Sequence, residues 1–247
     1  MAPDLGALSA ERIREELRKT LREVVHPSAT LGLYQAAGAL NVWYPELQAC
    51  VGVPHEGVTD VWTHLLRTAD AVPRHRVTLR LAALLHAVGK PVNPAEHSMA
   101  SAALAERLLR RLRASNAEIG RVLHLTAQHA SLPAGTAPKA EVRRWLQRVG
   151  RTYVPDLLRL RIAETRAREE PGGTLLALIR RVRQVLRENP PLEIGALALG
   201  GRELIELGVR PGPGIGEMLR ELLHQVLENP ALNTPDELRA LVRRELS

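Results

Sequence analysis

Leu81-Ala-Ala-Leu-Leu-His86-Ala87-Val-Gly-Lys90-Pro91 is the stretch whose reading decides the fold of this chain. From Thr78 to Val88 nearly every residue is apolar, which predicts a helix buried on all sides rather than an amphipathic surface helix. The segment runs out in a histidine, and glycine and proline follow. One element earlier, Val61-Trp-Thr-His64 supplies a second histidine, and His97 and His129 come after, at successive spacings of 22, 11 and 32 residues. Neutral imidazole is the commonest protein ligand for transition metals. Rigid helices suit a metal site because each can aim one donor inward. Taken singly, each histidine reads as structural. Four around one apolar helix make a candidate cluster.

Working outward, the chain reads as helical almost throughout. Ile13, Leu17 and Leu21 mark an amphipathic helix over 9–25, stopped by His26-Pro27. Shorter helices are expected over 30–40 and 44–50, then a turn at Pro54-His55-Glu56-Gly57, a helix over 59–71, and a loop from Lys90 to Ala95. A long helix over 96–113 ends in basic turns, and Ser115-Asn-Ala-Glu118 has the capping-box pattern that opens the next one. Further helices are expected over 139–149, 153–169 and 174–187. Glu170-Pro-Gly-Gly173 is the best hinge, and Thr234-Pro-Asp-Glu237 caps the last helix. No strand-like alternation of useful length appears.

The 247 residues are 45% hydrophobic and 25% charged, ordinary for a globular chain, but only 2% aromatic with no Phe. Leu, Ala, Ile and Val must build the interior, and base-stacking platforms are scarce. No apolar run approaches the roughly 20 residues that span a bilayer. Met1-Ala-Pro-Asp-Leu5 lacks the pattern of a secretory signal, and the single Cys50 fits a reducing compartment, so a cytoplasmic location is expected. The formal net charge is +7. Between Ala103 and Arg187, 18 Lys and Arg stand against seven Asp and Glu, so this segment alone carries +11. An Arg-rich solvated surface would give the same count, but the local concentration points to a polyanionic partner.

Several motifs run in a familiar order: Ser9-Ala-Glu-Arg-Ile-Arg-Glu-Glu-Leu17, Tyr44-Pro-Glu-Leu47, His55-Glu-Gly-x-x-Asp60-Val-Trp-Thr-His64, Arg80-Leu-Ala-Ala-Leu-Leu-His86 and Gly89-Lys-Pro91. A tail follows, Gly200-Gly201-Arg-Glu-Leu-Ile-Glu-Leu-Gly208-x-x-Pro211-Gly-Pro-Gly-Ile-Gly216. The set resembles the HD domain and C-terminal RNA-binding arm of bacterial CCA-adding enzymes and poly(A) polymerases. The nucleotidyltransferase head of that family uses an Asp-x-Asp pair. The five aspartates here (Asp4, Asp60, Asp70, Asp156 and Asp236) contain none. The resemblance implies an all-α HD-domain helical bundle, with neck helices over 1–46, an HD-type metal-dependent phosphohydrolase domain over 47–170 and a helical RNA-binding arm over 171–247.

Carried over residue by residue, the resemblance makes His64 and His86 metal ligands, adds His97 and His129 from the two-metal subset, and puts Glu164 where the family has a final Asp. Glutamate reaches one methylene further, which makes its geometry the point to check. Ala87 occupies the position of the HD carboxylate, and a methyl group binds no metal. Two readings stay open for Ala87: a site retired by evolution, or a substitution of Asp in a live one. The implied activity is a divalent-metal-dependent (Mn, Ni, Co, Mg, Fe or Zn) hydrolysis of 2′,3′-cyclic or 2′-phosphates on RNA ends or nucleotides. The alternative is a catalytically inactive binder of tRNA-like RNA. Lys90 and Arg67 are candidate phosphate contacts. Arg107, Arg110, Arg111 and Arg113 are candidate RNA contacts, or complement the dipole of their helix. Gly212, Gly214 and Gly216, opening a helix, are candidate phosphate cradles or simply a tight corner. Asp60, four residues before His64, is a candidate orienting partner for that imidazole. Cys50, with no cationic or ligand pattern around it, is expected to be inert.

Overall fold

The computed structural model describes residues 8–246, so the reading of Met1 to Leu5, with Asp4, falls outside the described residues. Among the described residues the chain is all-α apart from one small hairpin, and it divides into two compact units. The first comprises residues up to Leu132 together with Pro155–Gly172. The second comprises Pro133–Val154 and Gly173 onward.

The first unit is built around α6 (Val77–Leu85), whose residues from Leu79 to Leu85 are all buried. Helix α5 (Val61–Ala71) packs on one side of α6 and α8 (Asn116–Gln128) on another, with α7 (His97–Arg111) lying against α8. The N-terminal helices α1 (Ala10–Glu23), α2 (Pro27–Ala36), α3 (Ala39–Trp43) and α4 (Pro45–Gln48) pack on this core, α2 against α5 and α4 against α7, and one buried cation ties the end of α1 to it. Arg80, 2% exposed, donates to the carbonyls of Leu21, Val24, Val25 and Val72. Four carbonyls at the end of α1 and after α5 thereby satisfy a guanidinium that burial would otherwise penalise.

Local signals set several helix ends, that at Ser115 as the sequence predicts. Ser9 accepts from the amide of Arg12, and Ser115 from that of Glu118 (3.2 Å). The expected turn at Pro54–Gly57 is a two-stranded antiparallel hairpin, β1 (Pro54–His55) and β2 (Val58–Asp60), turning on Gly57 with φ of +77°. Two strands of two and three residues leave no alternation to detect.

The second unit contains α9 (Lys139–Val149), α11 (Gly173–Arg187), α12 (Gly201–Glu206), α13 (Pro213–Glu228) and α14 (Pro235–Leu246). Leu204, Leu222, Val226, Leu238 and Val242 form its own core. The remaining helix, α10 (Val154–Ala167), belongs to the first unit from Pro155. The division differs from the segments expected from sequence at two places. Residues up to 46 cluster with the first unit, and residues 133–154 leave it for the second. Helix α9 packs there against α11 and α13, and its buried Arg143 donates to the carbonyls of Leu227 and Glu228 at the end of α13. The expected hinge at Glu170–Gly173 coincides with the junction at Gly172.

Candidate metal centre

Five side chains from five elements of the first unit meet in one pocket. His64 comes from α5, His86 caps the C-terminus of α6, His97 is the first residue of α7, His129 caps α8, and Glu164 lies on α10. His64, His86, His129 and Glu164 are buried, and His97 is half-buried. His64 Nε2 stands 3.0 Å from His86 Nε2, and His97 Nε2 3.2 Å from His129 Nε2. Glu164 Oε1 lies 3.5 Å from His86 Nε2. The candidate ligand atoms of His86, His129 and Glu164 lie within 4.8 Å of one another. The extra methylene of glutamate is therefore accommodated.

The tautomers follow from the backbone. His86 Nδ1 faces the carbonyl of Ala83 at 2.7 Å, His129 Nδ1 that of Thr126 at 2.7 Å, and His97 Nδ1 that of Pro94 at 3.2 Å. A carbonyl only accepts, so each Nδ1 carries the proton and each Nε2 turns a lone pair into the pocket. His97 and His129 thus present two lone pairs to each other. Two ligand nitrogens on one ion, each about 2.0–2.1 Å from it, stand about 3.0–3.4 Å apart for right-angled to tetrahedral geometry. Both imidazole pairs match that spacing.

The electrostatics favour a cation over protons. Burial, with the neighbouring His129 and Lys90, pushes His97 down to about 4, and burial likewise holds His64 and His86 well below the ordinary histidine range. The imidazoles of His64, His86 and His97 stay neutral and able to act as ligands at neutral pH. The C-termini of α6 and α8 turn their partial negative charge toward the pocket. Glu164 Oε2 is held by Arg161 at 3.1 Å, while its buried Oε1 has no hydrogen-bond partner among the described residues. A buried carboxylate oxygen without a donor, beside imidazole lone pairs, fits a divalent cation in donor chemistry.

Two residues that sequence reasoning did not single out as functional complete the pocket. His55, on the hairpin, stacks at 4.3 Å between ring centroids from His64, and Lys90 Nζ donates to its Nε2 at 3.0 Å. Burial first, then Lys90 and Arg168, hold His55 at about 4. Its sequence signals were a turn ending in glycine and its place at the head of the motif that runs to His64. Gly89 is the second. A Cβ there would meet the backbone of Ser101 and Ala100 and the carbonyl of His97, and its amide donates to Ser101 Oγ at 2.8 Å. Glycine lets the turn after His86 rest on the first turn of α7, which carries His97.

Other expected residues lie elsewhere. Ala87 is fully buried next to His86 and contributes no donor. Asp60 does not orient His64. It is the N-cap of α5, accepting from the amides of Thr63 (2.8 Å) and Gly52 (2.7 Å), because the helix starts after it rather than through it. Arg67 is tied to Glu169 on the surface (3.3 Å). Arg110 pairs with Glu106, Arg111 bridges both oxygens of Glu46 at 2.7 Å, and Arg113 pairs with Glu11, while Arg107 is exposed and makes no ion pair among the described residues. Gly212, Gly214 and Gly216 lie at the N-terminal end of α13 in the second unit, where Pro213 already starts the helix. Asp60, Asp70, Asp156 and Asp236 do not converge: Asp70 holds Ser28, Asp156 is ringed by Arg76, Arg121 and Arg159, and Asp236 pairs with Arg239. Buried Cys50 has its thiol pushed up to about 12 by burial and is unreactive at neutral pH.

Comparison with known proteins agrees with this geometry. The HD domain family matches residues 58–170, which include all five clustered side chains. A second family, described as "Probable RNA and SrmB- binding site of polymerase A", matches residues 1–50, the segment read from sequence as neck helices. An A-adding tRNA nucleotidyltransferase of Deinococcus radiodurans is 33% identical over 95% of the chain, and a CC-adding tRNA nucleotidyltransferase of Thermus thermophilus 31% identical over 94%. The chain thus carries an HD domain and a polymerase-type RNA-binding match, and it is similar to tRNA nucleotidyltransferases over most of its length. It spans 58% of the first of these relatives and 56% of the second. A multifunctional CCA protein of Herminiimonas arsenicoxydans is 35% identical over 47% of the chain. No helix among the described residues is long and apolar enough to cross a membrane.

Proposed function

We propose that the first unit is an HD-type, metal-dependent phosphohydrolase acting on RNA ends or nucleotide phosphates, with 2′,3′-cyclic phosphates and 2′-phosphates as substrates. One observation carries this reading: His97 and His129, each with its Nδ1 proton committed to a backbone carbonyl, face each other Nε2 to Nε2 at 3.2 Å. Two lone pairs so placed repel unless a cation joins them. His64, His86, His97, His129 and Glu164 would hold the metal, with Mn, Ni, Co, Mg, Fe and Zn as candidates. Such an ion supplies Lewis-acid charge and makes water acidic enough to attack a phosphoester near neutral pH.

The protein's own residues do the rest. Helix ends place the imidazoles of His86, His97 and His129, and burial keeps those of His64, His86 and His97 unprotonated. Lys90, with one N–H on His55, has two more to offer a phosphate oxygen at the pocket's half-buried rim. With Ala87 in the carboxylate position, imidazoles and Glu164 alone hold the ion, which lowers affinity and turnover. The RNA-binding match over residues 1–50 and the tRNA nucleotidyltransferase relatives support RNA as the partner, and we place the protein in the cytoplasm.

The test is metal content and turnover together. Purified protein should contain a divalent metal that His86→Ala and His129→Ala lose. Hydrolysis of 2′,3′-cyclic AMP and 2′-AMP with Mn, Ni, Co or Mg should be weak in the chain and rise in Ala87→Asp. Absence of bound metal, with no turnover in Ala87→Asp, would leave an RNA-binding protein without chemistry.

A further inference from the structure

Lys90 is not the only cation at the rim of the metal pocket. Arg168 follows α10, four residues after Glu164, and its amide donates to the Glu164 carbonyl at 3.1 Å. One helical turn on, it shares a side of α10 with that carboxylate. Its side chain is only 19% exposed, low for an arginine. The stem lies against the tip of the hairpin: a Cβ on Gly57 would stand 3.4 Å from Arg168 Cβ and 3.6 Å from Cγ. Two residues earlier in the same turn, His55 accepts from Lys90 Nζ at 3.0 Å. One short hairpin therefore meets both cations.

Packing accounts for the stem of Arg168 but not for its charge. Its Nε stands 3.0 Å from Glu170 Oε1, yet this buried nitrogen has no hydrogen-bond partner among the described residues. Glu170 is 41% exposed, so water screens the pair. The charge is felt inside the pocket. Burial first, and Arg168 next, hold the Lys90 ammonium below its ordinary value, with Glu164 and Glu56 opposing. At His55 and His64 burial again leads, and Arg168 adds to it. Ala87 contributes no negative charge at the position where a carboxylate would. Two cations so close, one of them with a buried donor idle, suit an anion between them.

We infer that Arg168 and Lys90 form a clamp for a phosphate dianion, which makes a terminal phosphomonoester a better ligand than a 2′,3′-cyclic phosphate. A terminal phosphoryl group has three free oxygens and about −1.5 to −2 charges at neutral pH. A cyclic phosphodiester has two free oxygens and a single charge. With one oxygen on Lys90 and one on Arg168, the monoester keeps a third for the ion that the imidazoles and Glu164 would hold. The cyclic ester has none left. Attraction to the two cations also grows with the charge of the ligand. The planar guanidinium fork suits the task, since it can grip one phosphate with two parallel N–H bonds. The inference rests on the proposed function for its substrates and narrows them to one class, but the clamp itself needs no metal.

The experiment titrates inorganic phosphate, 2′-AMP and 2′,3′-cyclic AMP by calorimetry, in EDTA, into wild type, Arg168→Gln, Arg168→Lys and Arg67→Gln. Wild type should bind phosphate and 2′-AMP saturably, and 2′-AMP at least about tenfold more tightly than the cyclic ester. Arg168→Gln should weaken phosphate and 2′-AMP about tenfold to a hundredfold and the cyclic ester at most about threefold. Arg168→Lys, which keeps the charge without the fork, should fall between. Arg67→Gln withdraws an equal charge from the surface and should bind like wild type. An oligouridylate ending in a 2′-phosphate, set against the same strand without it, shows whether an RNA end is gripped as a free nucleotide is. Glutamine keeps the Cβ and Cγ that touch Gly57, so the unfolding midpoint of Arg168→Gln should match wild type. If it does not, Lys90→Gln, which leaves that contact alone, carries the same expectation. No saturable phosphate binding by wild type, unchanged 2′-AMP affinity in Arg168→Gln, or equal losses in Arg67→Gln and Arg168→Gln would overturn the inference. Because metal is absent throughout, the clamp can fail while the metal centre and its turnover stand, and the reverse.

Discussion

Gly89→Ala should damage the metal pocket from outside it. A Cβ at position 89 would stand 2.4 Å from the amide nitrogen of Ser101, 2.7 Å from the carbonyl oxygen of His97 and 2.8 Å from the carbonyl carbon of Ala100. All three are backbone atoms of the first turns of α7, so no side chain can rotate away. Ordinary contact begins at 3.4 Å, so either the turn or the N-terminus of α7 must move by roughly 1 Å. Overpacking of this kind costs about 1–3 kcal/mol, and straining the Gly89 amide bond to Ser101 Oγ adds about 1 kcal/mol. The first unit should then melt roughly 4–16 °C lower, at about 2–4 °C per kcal/mol. The same shift carries His97 away from the 3.2 Å approach to His129, and metal affinity by calorimetric titration should fall about 10–100-fold, as it does when a ligand's support is removed. Gly120→Ala, where nothing lies within 4 Å of the new Cβ on the exposed face of α8, should instead stabilise by about 0.5–1 kcal/mol. If Gly89→Ala melts and binds metal like wild type, the turn does not position His97 and the reasoning is wrong.

Arg80→Ala removes the donor shared by four carbonyls and should cost about 3–5 kcal/mol in urea denaturation, with α1 becoming the first site of proteolysis. Acid should act through the imidazoles. His55 and His97 sit at about 4 in the fold against 6.5 in an unfolded chain, so the unfolded state binds their protons first; stability is greatest above about 6.5, is lost as pH falls toward 4, and bound metal should leave over the same range. A urea midpoint that stays level across that range would contradict this. Ala87→Asp should lower the melting temperature in EDTA, because it buries a carboxylate, and raise it above wild type once Mn or Zn is added. A thermal melt with and without metal decides the point.

Much of the scaffold was legible because its causes are local. The capping serine at 115 acts on an amide three residues away, and the apolar run through α6 is buried as its composition requires. What escaped sequence reading depended on contacts far along the chain. Asp60 and His64 have the spacing of helical neighbours, yet α5 begins between them, and the carboxylate is used by Gly52 and Thr63. The four basic residues around the end of α7 looked like an RNA patch. Arg111 and Arg113 are taken by Glu46 and Glu11, 65 and 102 residues away. On α11, inside the segment read from sequence as an RNA-binding arm, Arg180, Arg183 and Arg187 make no ion pair among the described residues. Which cations remain available is a property of the whole fold.

By itself the sequence determined that this is a helical protein with a buried central rod and four imidazoles close to it. Apolar periodicity, caps and breakers act over a few residues, and the donors of the candidate site are fixed by residue type. Only the tertiary structure decided that His86 and His129, both at helix C-termini, spend Nδ1 on a carbonyl three residues back and turn Nε2 inward. It also decided that His55 joins them and that Glu164 reaches the cluster. Those outcomes depend on where helices cross and which ring nitrogen meets which carbonyl, and spacing along a chain carries no record of either.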